Sequence, residues 1–238
     1  MKGKRPSSTR TVGTDEPVPG ARLAWHFLPS RPTGGDCFAV APWGLETLIC
    51  YMLDVSGHGA EAGDRAAALA NLFSVKAFAE RHSDRDPGQV LTFLNHRYPL
   101  TKAGHFFTIW LGFLSLPSGE LRFSTAGHAG AFVLRRGGMV ERMSAPSFPI
   151  GFVAEPAYST TTTVLRSCDR LLMLSDGLYD APAPDGERWG LNRLERAAAR
   201  HAHLPLDVCV GALVAEARHW QGRARFDDDA ALVGLEIG

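Results

Sequence analysis

The 238-residue sequence has no excess of either charge: 25 lysines and arginines stand against 25 aspartates and glutamates, a formal net charge of +0. A chain without a positive field lacks the attraction that supplies most non-specific affinity for nucleic acid or an anionic bilayer, so neither is expected as a partner. Long hydrophobic runs are missing too. No stretch is long enough to cross a membrane, and the basic start (Lys2, Lys4, Arg5, Arg10) is not followed by the apolar segment of a signal peptide. Cysteine is sparse: Cys37, Cys50, Cys168 and Cys209 are scattered with no CxxC pair, which fits a reducing compartment. A cytoplasmic protein is therefore expected. The GxSxG elbow, the GxxxxGK phosphate loop and the HExxH zinc helix are all absent, and no internal repeat is visible.

What remains is a globular composition, 45% hydrophobic and 21% charged, in a chain long enough to bury a sizeable core. One large domain over 20–238 is expected. Residues 1–19, rich in Ser, Thr, Pro and Gly, predict a flexible N-terminal arm or linker remnant. Runs of strand length occur at 21–28, 45–53, 106–116, 120–126, 131–136, 159–165, 170–175 and 230–237. Pro117-Ser118-Gly119 and Gly137-Gly138 each separate two such runs as hairpin loops do, which predicts antiparallel pairing. Helical spacing of Ala66, Leu69, Ala70, Phe73 and Ala77 predicts a helix from Ala60 to about Arg81. Further helices are expected after Pro87 through Tyr98, at 190–201 and at 206–221. Strands segregated from helices argue for an α+β layered fold.

Aspartates stand where strands should end in turn residues. Gly34-Gly35-Asp36 precedes CFAVA, Asp54 closes ICYML, Asp176 closes LLMLS, and Asp227-Asp228-Asp229 opens the last strand. A carboxylate abutting a buried strand is desolvated, and three adjacent ones repel one another, unless something cationic sits beside them. Any one of these residues alone reads as a turn or cap. Together, with glycines flanking several, they suit a hard divalent cation with oxygen ligands. Gly57-His58-Gly59-Ala60-Glu61-Ala62 also fits the GxGxxA dinucleotide fingerprint after a strand. Against it, the required second strand is missing: residues 81–89 are polar loop leading into another helix.

In order along the chain, GGD (34–36), DVSGHG (54–59), AGH (126–128), SDG (175–177), a DGE turn (185–187) and DD before the last strand (228–229) resemble the motifs of the SpoIIE-like branch of the metal-dependent protein phosphatases, bacterial relatives of the type 2C enzymes. The resemblance covers nearly everything from Ala21 to Ile237. It implies a four-layer αββα sandwich, two stacked antiparallel sheets flanked by helices. It also implies two divalent cations, Mn²⁺ or Mg²⁺, with Asp54 bridging both, Asp36 and the Val55 carbonyl on one, and Asp176 and Asp228 on the other. Asp229 falls at a position that supports the ligands, and the register within Asp227–Asp229 stays open by one residue.

The activity so implied is hydrolysis of phosphoserine or phosphothreonine on a signalling protein, through water activated by the two cations, with Asp54, Asp176 and Asp228 as the catalytic carboxylates. The substrate implied is a phosphorylated STAS-type anti-anti-sigma factor of a partner-switching pathway, and the resemblance leaves room for a homodimer. A catalytically silent, partner-binding module of the same fold is the alternative. Ser56 replaces the histidine that eukaryotic relatives place two residues after the bridging aspartate, so the general acid stays open between His58 and water. His128 reads as a hydrogen-bonding residue at a strand end.

Overall fold

A strand covered on both faces has no side to show water, so it reads as an unbroken apolar run. CFAVA, LICYML and FTIWLGFL have that character. The computed structural model describes residues 12–13, 20–30, 35–56, 60–74, 86–100 and 106–238, and it places these three runs side by side within one sheet. Its strands are β1 (Val12–Gly13), β3 (Asp36–Pro42), β4 (Thr47–Val55), β5 (Phe107–Ser115), β6 (Glu120–Ala126) and β9 (Thr161–Val164), in the order β1-β3-β4-β5-β6-β9. The second sheet runs β2-β11-β10-β7-β8, from β2 (Ala21–Leu28), β11 (Ala230–Ile237), β10 (Arg170–Leu174), β7 (Ala131–Leu134) and β8 (Val140–Met143). Every pairing is antiparallel except β1 with β3. Among the described residues no helix is long and apolar enough to cross a membrane.

Alternation along the strands sorts side chains into three apolar layers. Phe38, Val40, Leu48, Cys50, Met52, Trp110 and Leu114 of the first sheet meet Leu171, Met173, Ala231, Val233 and Leu235 of the second. On the outer face of the first sheet, Ile49, Tyr51, Leu53 and Ile109 pack against α1 (Ala60–Ser74), through Ala66, Leu69, Ala70 and Phe73, and against α2 (Pro87–Arg97), through Val90, Leu91 and Leu94. On the outer face of the second, Leu172, Leu174 and Leu232 pack under α4 (Gly190–His201) and α5 (Leu206–Gln221). The result is the expected α+β αββα sandwich. The edges of the sheets are blunted by short or polar strands, TTTV in β9 and VERM in β8, which discourages pairing with a second chain.

Several boundaries differ from the sequence reading. The strand expected at 45–53 is Thr47–Val55, so Asp54 lies inside β4 and not just after it. The run 131–136 stops at Leu134, because Arg135 and Arg136 turn the chain into β8, whose mixed sequence hides a strand. Asp176, read from the sequence as closing the run 170–175, opens a four-residue helix, α3 (Asp176–Tyr179). Val12–Gly13, within the expected arm, pairs with Ala39 and Val40; the rest of that arm and the end expected for α1 lie outside the described residues. The expected start at Pro87 has a mechanism: Asp86 Oδ1 accepts from the Gln89 amide at 3.0 Å, capping α2.

The two sheets are locked at one point by a large ring. Trp110, fully buried, stacks on Phe123 at 5.8 Å and donates its indole hydrogen to the Met143 carbonyl of β8 at 3.0 Å, across the interlayer. Its ring lies over Gly112, where an added Cβ would stand 2.6 Å from the indole. Gly112→Ala must push that ring out of place and is expected to destabilise by about 1–3 kcal/mol, as overpacked cores do. Urea unfolding checks this, and an unchanged midpoint would mean the ring has room to yield.

Candidate metal centre

The site is assembled from strand ends. Asp36, first in β3, and Asp54, next to last in β4, are direct partners in the antiparallel register. Both share the alternation of Phe38 and Met52, so both side chains point between the sheets. Like charges directly opposed across a strand pair are unfavourable. Asp176 approaches from the second sheet, at the start of α3 after β10. Ligand atoms of Asp36, Asp54 and Asp176 all lie within 4.8 Å of one another.

Close backbone approaches hold this arrangement. Ser175 Oγ donates to the Asp229 carbonyl at 3.0 Å and accepts from the Ala231 amide at 2.8 Å, stitching the end of β10 to the start of β11. Gly177 fits against that segment only because it has no side chain; a Cβ there would lie 2.2 Å from the Asp229 carbonyl oxygen. On the first sheet the Val55 amide donates to the Gly35 carbonyl at 3.3 Å. A Cβ on Gly35 would stand 2.8 Å from the Val55 carbonyl oxygen and 3.4 Å from Asp54 Oδ1, so the glycine keeps space open over both.

The three consecutive aspartates separate by role. Asp227 is exposed and pairs with Arg223 at 2.9 Å. Asp228 is exposed, and its charge acts on Asp54 and Asp176. Asp229 is buried and accepts from the amide and hydroxyl of Ser30 at 2.8 and 3.0 Å, which anchors the end of β2. Asp36, Asp54 and Asp176 thus form the tight cluster, Asp228 sits within electrostatic reach, and Asp229 is engaged with Ser30.

The electrostatics are those of an unneutralised acidic pocket. Burial, then the charge of Asp54, push the Asp36 carboxyl well above its ordinary range. Its Oδ2 is buried and has no hydrogen-bond partner among the described residues. Burial, then Asp176, Asp228 and Asp229, raise Asp54 to about 7. Asp176 is raised by burial and by Asp228. A buried carboxylate oxygen without a donor, facing two more carboxylates, fits an oxygen-liganded divalent cation. Burial followed by the charge of Asp176 also raises the Tyr179 hydroxyl, which therefore stays protonated as a donor. Tyr179 lies three residues after Asp176 on one helical turn, a spacing that could have flagged it.

His128 is an acceptor: its Nδ1 takes the Gly130 amide hydrogen at 3.0 Å, and burial pushes its pKa down to about 4, so the ring is neutral at physiological pH. Gly34 and the loop Gly57-His58-Gly59 lie outside the described residues. Ser56 Oγ accepts from the Phe106 amide at 3.1 Å, so this hydroxyl braces the start of β5.

The family described as Stage II sporulation protein E (SpoIIE) matches residues 46–238. Protein IcfG of Synechocystis is 25% identical over 229 residues, covering 85% of this chain and 36% of that protein. The chain therefore spans about a third of that relative's length. The RsbU and RsbW domains of Rv1364c from Mycobacterium tuberculosis superpose with a TM-score of 0.77 at 22% identity, over 92% of this chain and 60% of that one. The SiaA-PP2C domain of Pseudomonas aeruginosa gives 0.76 at 20% identity, over 91% and 86%. These structural likenesses establish the fold as that of the PP2C domains.

The raised Asp54 carboxyl fixes the sign of a pH effect. Its ordinary value in an unfolded chain is about 3.9, so between there and about 7 the folded state holds more protons than the unfolded one. Metal-free protein should then lose stability steadily as pH rises through that window and level off above it. Thermal unfolding in chelator from pH 5 to 8 is expected to show this fall, and Asp54→Asn to flatten it. Parallel profiles for the two proteins would refute the coupling.

Proposed function

The chain belongs to the SpoIIE family, and from that membership we propose that it is a metal-dependent protein serine/threonine phosphatase. The observation that carries the proposal is the cluster of Asp36, Asp54 and Asp176 within 4.8 Å at the mouth between the sheets, with a partnerless buried oxygen on Asp36. Divalent cations bound there supply the Lewis acidity that lowers the pKa of water and offsets the charge of a phosphoryl group. Asp54 would bridge two such ions, with Asp36 and the Val55 carbonyl serving one and Asp176 and Asp228 the other. Mn²⁺ and Mg²⁺ both match this all-oxygen donor set.

The remaining residues orient and protect. Gly35 leaves the Val55 carbonyl and Asp54 uncovered toward the mouth. Ser175 and Asp229 hold β10, β11 and the end of β2 together, so that Asp176 and Asp228 face the first sheet from a fixed frame. Tyr179, kept protonated beside the acids, offers a hydrogen-bond donor for a phosphoryl oxygen. His128, neutral and committed to Gly130, takes no part in proton transfer. No side chain of the cluster needs to form a covalent phosphoenzyme. The substrate we infer is a phosphorylated STAS-type anti-anti-sigma protein; one structural relative carries RsbU and RsbW domains in a single chain, which supports a partner-switching setting.

Hydrolysis of p-nitrophenyl phosphate with Mn²⁺ tests the activity. Asp54→Asn is expected to lower kcat/KM by at least about a hundredfold, of the order that removing a central charge-stabilising group costs, and EDTA to abolish turnover. Activity equal with and without metal, or in the variant, would sink the enzyme reading, and no turnover at all would leave a partner-binding module. Gly35→Ala tests the ligand set without catalysis. Its methyl crowds the Val55 carbonyl and Asp54, so the metal-free midpoint should fall and the Mn²⁺-induced rise above that midpoint should shrink as well; an undiminished rise would remove Val55 and Asp54 from the set.

A further inference from the structure

Next to the acidic mouth the chain exposes aromatic rings that the chemistry above does not use. Phe148 and Phe152 are 54% and 52% exposed. They stack at 6.4 Å with planes 13° apart, and Phe106 meets Phe152 edge-on at 5.7 Å. Phe106 stands opposite Ser56, two residues beyond Asp54, and the two exchange backbone contacts: the Ser56 amide donates to the Phe106 carbonyl at 3.0 Å and the Phe106 amide to Ser56 Oγ at 3.1 Å. Continuing the alternation of β5, Phe106 takes the face of Thr108 and Trp110, the face that also carries Asp54. The three rings therefore form a shelf that begins at the rim of the acidic pocket and runs outward from it.

The shelf is rigidly mounted. Buried Asn95 of α2 accepts the Gly151 amide hydrogen at 2.7 Å and donates to the carbonyls of Val153 and Ala154 at 3.0 and 3.1 Å, clasping the turn that presents Phe152. Gly151 has φ 86, and its carbonyl accepts from the Leu100 amide at 3.0 Å. Ile150 pairs with Phe107 at the start of β5, and Pro149 packs against Gly127 closely enough that a Cβ on the glycine would lie 2.6 Å from the proline ring. Exposed aromatics on mobile loops can fold back and hide. Here the backbone on both sides of Phe152 is fixed, so the rings remain turned outward, preorganised for an apolar ligand.

We propose that Phe148 and Phe152, backed by Phe106, form a specificity shelf that receives an apolar side chain flanking the phosphoseryl or phosphothreonyl residue of the protein substrate. This rests on the phosphatase reading: a phosphoryl group at Asp36, Asp54 and Asp176 obliges the neighbouring substrate residues to cross the rim, and the rim on the β5 side is aromatic. Such a phosphatase discriminates among phosphoproteins by the residues beside the phosphate, favouring an apolar neighbour over a small or polar one.

The test uses the full chain with Mn²⁺ and fluorescent peptides carrying the non-hydrolysable phosphonate analogue of phosphoserine, flanked on both sides by leucine or by glycine. Anisotropy is expected to give about tenfold tighter binding of the leucine peptide, as burial of one apolar side chain supplies. Phe148→Ser/Phe152→Ser should erase that preference, and Phe148→Leu/Phe152→Leu should restore most of it. Equal binding of both peptides by the wild type, or a preference that survives in the serine variant, overturns the shelf. Hydrolysis of p-nitrophenyl phosphate by the wild type is read separately. No hydrolysis with the flank preference intact fails the phosphatase reading alone, and hydrolysis without the preference fails the shelf alone.

Discussion

The structure turns on one unfavourable contact. Asp36 and Asp54 are placed in direct register on neighbouring strands, and Asp176 is brought to within ligand distance of both from the opposite sheet. Each acid is desolvated by its surroundings and raised further by neighbouring carboxylates, and the bonds from Ser175 to Asp36 and from the Gly177 amide to Asp176 do not offset these effects. Acids elsewhere in the chain are handled differently. Asp86 and Asp169 are also opposed by burial, yet bonds from Gln89 and Thr160 in the first case, and from Arg166 and Arg135 in the second, carry their carboxyls below the ordinary range. Glu141 is lowered chiefly by its bond from Arg135. One fold thus lowers its peripheral acids with its own donors and leaves three at the mouth whose carboxyls stay raised. Overall charge balance is reached by pairing at the periphery, and the imbalance is concentrated where the sheets open.

Much of this was legible in the sequence because desolvation leaves a mark there. A carboxylate that interrupts an apolar run, as Asp54 does after ICYML or Asp176 after LLMLS, has no place in a strand unless it is used, and the central runs are apolar on both faces because helices and a second sheet cover them. The sorting of Asp227, Asp228 and Asp229 was not legible. It depends on Ser30, 199 residues away in sequence, and on Arg223, and no local pattern announces either partner. Short elements were hidden for a related reason. VERM in β8 has too few residues to show a period, and α3 is held by Ser175 and Gly177 against β11, not by helix propensity.

The aromatic shelf was illegible in another way. Residues 144–158 carry serine, proline and glycine and lie between two strand-length runs, with phenylalanines that any core could absorb. Only the structure shows that Asn95, on a helix, reaches this segment and fixes the turn with its phenylalanine outside. A buried asparagine with both its carbonyl and its amide engaged specifies one backbone path, and that path is what keeps Phe152 from collapsing inward.

The location of the acids at a junction between sheets has a mechanical consequence. Asp36 and Asp54 belong to one sheet and Asp176 and Asp228 to the other, so any ligand that engages both sets must bind the stacked arrangement in preference to one in which the sheets have slipped. Binding and interlayer packing are then thermodynamically linked: each favours the other by the same free energy. The interlayer contributes Trp110, Phe38, Met52 and their partners, with Trp110 tied across it to Met143. Interlayer core and acidic mouth are opposing terms along the same seam, the first drawing the sheets together along their length and the second pushing them apart at one end. A cation at the mouth would reverse the sign of that second term, and the register of the two sheets, with the positions of Asp36, Asp54 and Asp176, would be sharpest with such an ion bound.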